Sequence, residues 1–238
     1  MAKTRVVRPP TEEELIDPVM AAEYALNVLH GPFPAGEPVI AKSASRAAEY
    51  AACTLKGPFP AGEKAIAKNV SCSVYYAKYA IHGRFPAGEK AIAKDPNDAC
   101  HYAIFALNGP FPAGEAAIAT NPSTASSYAR CALKGPFPAG EPAIATVAGS
   151  SFDYARYVLH GRFPAGEAAL LAQTYWCSLY AEMLKKRDSA GYQEFIKSPE
   201  YAAYEDRLSA EEMSGGAWLP SEIADKAVES ARANAVVA

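Results

Sequence analysis

Six glutamates recur at one fixed interval, Glu37, Glu63, Glu89, Glu115, Glu141 and Glu167, 26 residues apart each time. Such a carboxylate ladder could collect metal ions or meet a cationic partner. Each glutamate closes the same segment, GPFPAGE or GRFPAGE, three residues after a proline. That spacing places it in the first turn of a helix, where a carboxylate complements the free amides and the helix dipole. Capping therefore explains the whole set without a ligand. Catalysis asks for a unique, asymmetric group of residues, and a motif copied six times does not supply one. Of the four histidines, His30, His82 and His160 share one slot just before the glycine of the motif, which Lys56, Asn108 and Lys134 fill elsewhere. Basic residues at a helix C-terminus also answer the dipole, and copies two or three repeats apart are too distant to share a metal. The five cysteines, at 53, 72, 100, 131 and 177, contain no CxxC pair and read as free thiols in a reducing compartment. No Ser-His-Asp or Cys-His set and no phosphate-cradling loop is present, since the proline of GPFPAGE removes amides that a phosphate nest needs. The sequence thus assigns no catalytic residue, no metal ligand and no cofactor.

The sharper candidate lies where repetition fails. One residue before, and three after, a periodic tyrosine, the slots read Glu23/Asn27, Glu49/Cys53, Tyr75/Tyr79, His101/Phe105, Ser127/Cys131 and Asp153/Tyr157. Each pair is i, i+4 on a helix, so its members are neighbours. In the middle repeats they are aromatic. The slot two after the tyrosine adds Lys78, Arg130 and Arg156. Aromatic side chains beside cations are the composition of a binding surface. The candidate partner-binding set is therefore Tyr75, Lys78, Tyr79, His101, Phe105, Arg130, Arg156 and Tyr157. The competing reading packs this row against the neighbouring layer, and it predicts that Tyr75, Tyr79, His101 and Phe105 are buried.

The elements that position these residues follow from the repeat. A Tyr-Ala pair recurs at Tyr24, Tyr50, Tyr76, Tyr102, Tyr128, Tyr154 and Tyr180, and the first motif glycine at Gly31, Gly57, Gly83, Gly109, Gly135 and Gly161, without insertion or deletion. Each unit reads as two short helices. Proline opens the first, where its missing N–H costs nothing. Ile40, Ile66, Ile92, Ile118, Ile144 and Leu170 supply its buried side. A polar break such as Lys-Asp-Pro or Thr-Asn-Pro caps the second helix, whose small and apolar residues, Ala47, Tyr50, Ala51, Thr54 and Leu55, lie on one face. The glycine is expected to end that helix in the left-handed conformation. Helices this short are marginal alone, and stacking the units gives one continuous core. The expected fold is an all-α solenoid of tandem 26-residue two-helix repeats with atypical N- and C-terminal caps.

The expected organisation is a flexible arm over residues 1–10, a cap or partial repeat over 11–30, six repeats over 31–186, a degenerate repeat over 187–208 and capping helices over 209–238. Thr11 to Glu14 fits a capping box. EAALLAQTYWCSLYAEMLKK, from Glu167, lacks the polar break and reads as one long helix. A final amphipathic helix is expected after Pro220, with Ile223, Val228 and Ala231 apolar.

Composition narrows the class. The chain is half hydrophobic and 21% charged, which argues against global disorder. Its formal net charge of −3 and the absence of an evident basic stripe argue against nucleic acid. No apolar run reaches the length of a membrane span, and the start, MAKTRVVRPPTEEE, has no apolar core of a secretory signal.

The pattern IA-x5-A-x2-YA-x3-L-x-GRFPAGE, over about residues 17–208, resembles tandem repeat proteins of tailed bacteriophages and some large viruses, whose units are similar to YARDVIKGRWPEGE…IA. It is also similar to a short helical repeat family with a Leu-x-Tyr-Ala segment. The resemblance implies the fold and a viral origin, and carries no catalytic or ligand residues. The functional expectation is a non-enzymatic scaffold that binds a protein partner, an inhibitor or adaptor acting on a host protein in the cytoplasm of the infected cell, as a monomer or small oligomer. The alternatives are a structural or self-assembling virion component and, further off, a single-stranded RNA reader.

Overall fold

A computed structural model describes residues 8–213 of the chain, with side chains through residue 209. It is an all-α solenoid; among the described residues there is no strand. By internal contacts the chain divides into two compact units, Met1–Ile118 and Ala119–Ala238.

In the first unit, α1 (Glu12–Ile16) and α2 (Pro18–Glu23) precede three full repeats: α3 (Glu37–Ile40) with α4 (Ala44–Glu49), α5 (Pro60–Ile66) with α6 (Val70–Tyr76), and α7 (Pro86–Ile92) with α8 (Pro96–His101), followed by α9 (Glu115–Ile118). The second helices α2, α4, α6 and α8 form one row, and the first helices α3, α5 and α7 another. The caps are the expected ones. Asp17, Ser43, Asn69 and Asp95 each accept a backbone N–H from the turn they open. Pro60 and Pro86 stand at the first positions of α5 and α7.

The second helices do not finish as α-helices. At or just after each periodic tyrosine the hydrogen bonding changes to the i→i−5 register of a π-helix, over Tyr24–Leu29, Tyr50–Leu55, Ala77–Ile81 and Tyr102–Leu107. The left-handed residue that ends each one is not the glycine. It is the residue before it, His30, Lys56, His82 or Asn108, at φ of 49–54°. Both that residue and the next glycine donate to a single carbonyl, as Lys56 and Gly57 do to Ala51. The wider π turn moves the reversal one residue earlier than an α-helical ending would put it.

The second motif glycine has the steric role. A Cβ on Gly62 would lie 2.6 Å from the Phe59 ring and 2.7 Å from the Ala47 Cβ. On Gly114 it would meet Phe111 and the Ala99 Cβ at 2.6 and 2.8 Å. The first and second helices touch only because no side chain separates them. Around Gly57, by contrast, the nearest such atom is 3.9 Å away.

The residues at the amino end are tied down from residue 8 onward, against the expected flexible arm. Arg8 forms a two-pronged ion pair with the buried Glu14, which closes the Thr11 capping box. Its carbonyl accepts from the Tyr24 hydroxyl and its guanidinium covers that ring. Residues 1–7 lie outside the described residues.

The second unit repeats the plan with α10 (Pro122–Ser127), α11 (Glu141–Ile144), α12 (Ala148–Tyr154), α13 (Glu167–Leu171) and α14 (Thr174–Arg187). π-helical endings follow at Tyr128–Leu133 and Ala155–Leu159. The single long helix expected from Glu167 is not formed. Gln173 is extended, at φ −135° and ψ 107°, and separates α13 from α14. The two-helix layer persists there without a polar cap. α15 (Ser189–Ile196) and α16 (Pro199–Met213) complete the described chain. Asp188 accepts from the amides of Gly191 and Arg162, and Phe195 packs edge-on against Tyr180 at 5.1 Å. The helix expected after Pro220 lies outside the described residues.

Candidate interaction face

The surface rests on a buried clamp. Tyr50, Tyr76, Tyr102, Tyr154 and Tyr180 each hold the motif that opens their own repeat. The hydroxyl of Tyr102 donates to Glu89 Oε1 at 2.8 Å and accepts the Phe85 N–H at 2.7 Å. Tyr50, Tyr76, Tyr154 and Tyr180 do the same with Glu37, Glu63, Glu141 and Glu167. Each ring packs against the phenylalanine of the following repeat, with centroids 5.0–5.2 Å apart for Tyr50, Tyr76, Tyr102 and Tyr154. Burial pushes the Tyr50, Tyr76 and Tyr154 hydroxyls up to about 12, so they keep their protons and donate. The glutamates stand in the first turn of their helices, as the sequence suggests, and their carboxylates in addition accept from a buried tyrosine. The N-cap residues of α5 and α7, Phe59 and Phe85, have no side chain to cap with, and the tyrosine hydroxyl takes up their amides instead. The shared 26-residue period of tyrosine and glutamate is the signal that could have paired them.

The variable slots lie on the outside of this frame. In the first unit, Tyr75 is 37% exposed, Tyr79 45% and Phe105 51%, with His101 exposed beside them. The reading that buries this row fails. The Tyr75 and Tyr79 rings are 4.7 Å apart, and those of His101 and Phe105 5.7 Å apart. Lys78 joins the two layers, with its Nζ 4.6 Å from the Tyr79 ring centroid and 4.2 Å from that of Phe105. Both contacts are within cation–π range. The ammonium needs no carboxylate to hold it there, so it keeps donors for an external acceptor. The row continues to Cys53, whose sulfur is 3.8 Å from the Tyr75 hydroxyl.

In the second unit the equivalent residues form a different cluster. Tyr157, 41% exposed, has the guanidinium carbons of Arg130 and Arg156 at 5.3 and 5.1 Å from its ring centroid. Arg156 also covers Phe152, which touches Trp176. Asp153 sits among them. Burial raises its carboxyl above the usual aspartate range, against the pull of the two arginines. Each unit thus gathers its own share of the eight candidate residues.

The structure also gathers lysines that are scattered in the sequence. Lys42, Lys64, Lys68, Lys90 and Lys94 are all exposed along the first-helix row of the first unit, a basic stripe where none was expected. Among the described residues no group of three His, Cys, Asp or Glu side chains is placed to hold a metal ion. No described helix is long and apolar enough to cross a membrane. Compared with protein-family models, curated proteins and solved structures, the chain has no significant match.

Proposed function

We propose that this chain is a non-enzymatic repeat scaffold that binds a protein partner through its variable second-helix face. The observation that supports this reading is the exposed row of Tyr75, Lys78, Tyr79, His101 and Phe105 on a frame of buried clamps. Tyrosine and phenylalanine bring large contact area at small entropic cost, and a preorganised ammonium adds direction. The frame already fixes the rows that display these side chains, so docking orders little else. The viral resemblance makes an infected-cell protein the target, with the scaffold as inhibitor or adaptor.

The test is capture from a bacterial lysate with two baits, the native chain and a chain carrying Tyr75→Ser, Tyr79→Ser and Phe105→Ser. A protein retained by the native bait and lost by the variant, at unchanged melting temperature, supports the reading. Equal retention by both baits, or by neither, overturns it.

A further inference from the structure

The five-lysine stripe of the first unit belongs to a different row from the aromatic face. Lys64 is exposed on α5 and Lys68 in the turn just past its end, four residues on, and Lys90 and Lys94 repeat them on and after α7. Lys42 takes the matching place after α3. With layers about 8–10 Å apart, the stripe runs about 20 Å over three layers. Among the described residues none of the five forms an ion pair. The first-turn carboxylates of these helices, Glu37, Glu63 and Glu89, are turned to the Tyr50, Tyr76 and Tyr102 hydroxyls, and Asp95, which follows Lys94, accepts the Asn97 and Asp98 amides as the cap of α8. Beyond Lys94 the same slots hold Ala116, Thr120, Pro142, Thr146, Ala168 and Ala172, so the charge is not a property of the fold.

We propose that this stripe docks an acidic segment of a protein partner, a run of aspartate and glutamate side chains lying across the three layers. Five like charges side by side repel one another, and carboxylates laid along them relieve that repulsion. Lysine presents a compact charge on a flexible stem, which suits carboxylates of varied geometry. A nucleic acid fits less well. A single strand needs aromatic platforms for its bases, and Phe33, Phe59 and Phe85 of this row are buried. A longer polyphosphate would also leave the stripe, and the exposed Glu12 and Glu13 of the same unit and a net charge of −3 then oppose it. At physiological salt, screening acts over about 8 Å, so the stripe serves a ligand of its own size.

The experiment is fluorescence anisotropy of a labelled hexaglutamate peptide titrated with the full-length chain, at low and at physiological salt. One variant carries Lys42→Gln, Lys64→Gln, Lys68→Gln, Lys90→Gln and Lys94→Gln. A control variant carries the same change in net charge elsewhere, as Lys56→Gln, Lys134→Gln, Lys185→Gln, Lys186→Gln and Lys197→Gln. The expected result is binding that salt weakens, a loss of about tenfold or more in the stripe variant, and less than about threefold in the control. Melting curves check that both variants fold. No binding at low salt, equal loss in the control, or tighter binding of an RNA hexamer than of the peptide overturns the proposal. The Tyr75→Ser, Tyr79→Ser and Phe105→Ser chain separates it from the aromatic face. Unchanged peptide binding there supports an independent surface, and loss of binding overturns it.

Discussion

The two units share one interior and wear different surfaces. Tyr102 in the first and Tyr154 in the second make the same two hydrogen bonds, to Glu89 and Phe85 and to Glu141 and Phe137, all at 2.7–2.9 Å. The glycine contacts agree as well: Gly62 and Gly140 would each place a Cβ under 3.0 Å from a phenylalanine ring and an alanine. Outside, the first unit spreads one lysine over two aromatic layers. The second crowds two guanidiniums on one tyrosine. The stripe lysines occur only in the first. Core slots are held by close packing and buried hydrogen bonds, so they tolerate little. The outer slots cost the fold almost nothing to change, and recognition can vary there.

The comparison breaks first, if it breaks, at the glycines. Gly62→Ala and Gly140→Ala should each cost about 2–3 kcal/mol in urea unfolding, because the added methyl must push two helices apart. Gly57→Ala and Gly135→Ala, in open surroundings, should stay within about 0.5 kcal/mol. Equal losses at both kinds of site would show that the steric distinction is wrong. Next comes the clamp. Tyr102→Phe and Tyr154→Phe each leave a buried amide without its acceptor, and a loss of about 1–3 kcal/mol is expected in both units. Unequal losses, more than about 1 kcal/mol apart, would mean that the interiors differ.

The π-helix endings predict a smaller gain. Lys56→Gly and Lys134→Gly relieve a left-handed lysine at φ 52° and 55° and should stabilise by about 0.5–1 kcal/mol. Asn108→Gly should gain less, because asparagine tolerates that conformation. The smallest shift belongs to acid. Hydrogen bonds from Arg8, opposed by burial, hold the Glu14 carboxyl down to about 2. The depressed pKa stabilises the folded state above the ordinary carboxylate range, and that contribution fades as pH falls from there towards 2. Native and Arg8→Ala chains should therefore differ in Tm near neutrality and converge in acid. A gap that persists at the lowest pH would assign the effect of Arg8 to packing on Tyr24.

Much of this was legible in one dimension. The 26-residue period, the two helices per repeat, the proline starts and the Asp, Asn and Ser caps are local matters, decided by φ restriction and by side chains reaching their own backbone. The candidate face was legible too, since departures from a repeat stand out against it. The π register was not. Apolar residues at i, i+3 and i+4 suit an α-helix equally well, so the first glycine was given the reversal that His30, Lys56 and their equivalents make. The break at Gln173 escaped because no cap marks it.

The sequence alone determined the repeat, its polarity and which slots are free to vary, because those follow from spacing and from the chemistry of single residues. The tertiary structure alone decided what the glutamates do, which glycine is indispensable, and that lysines 26 residues apart form one stripe. The glutamate bond joins the two helices of one layer, the glycine contact and the stripe join successive layers, and all three arise only when the short helices pack to bury their shared apolar face.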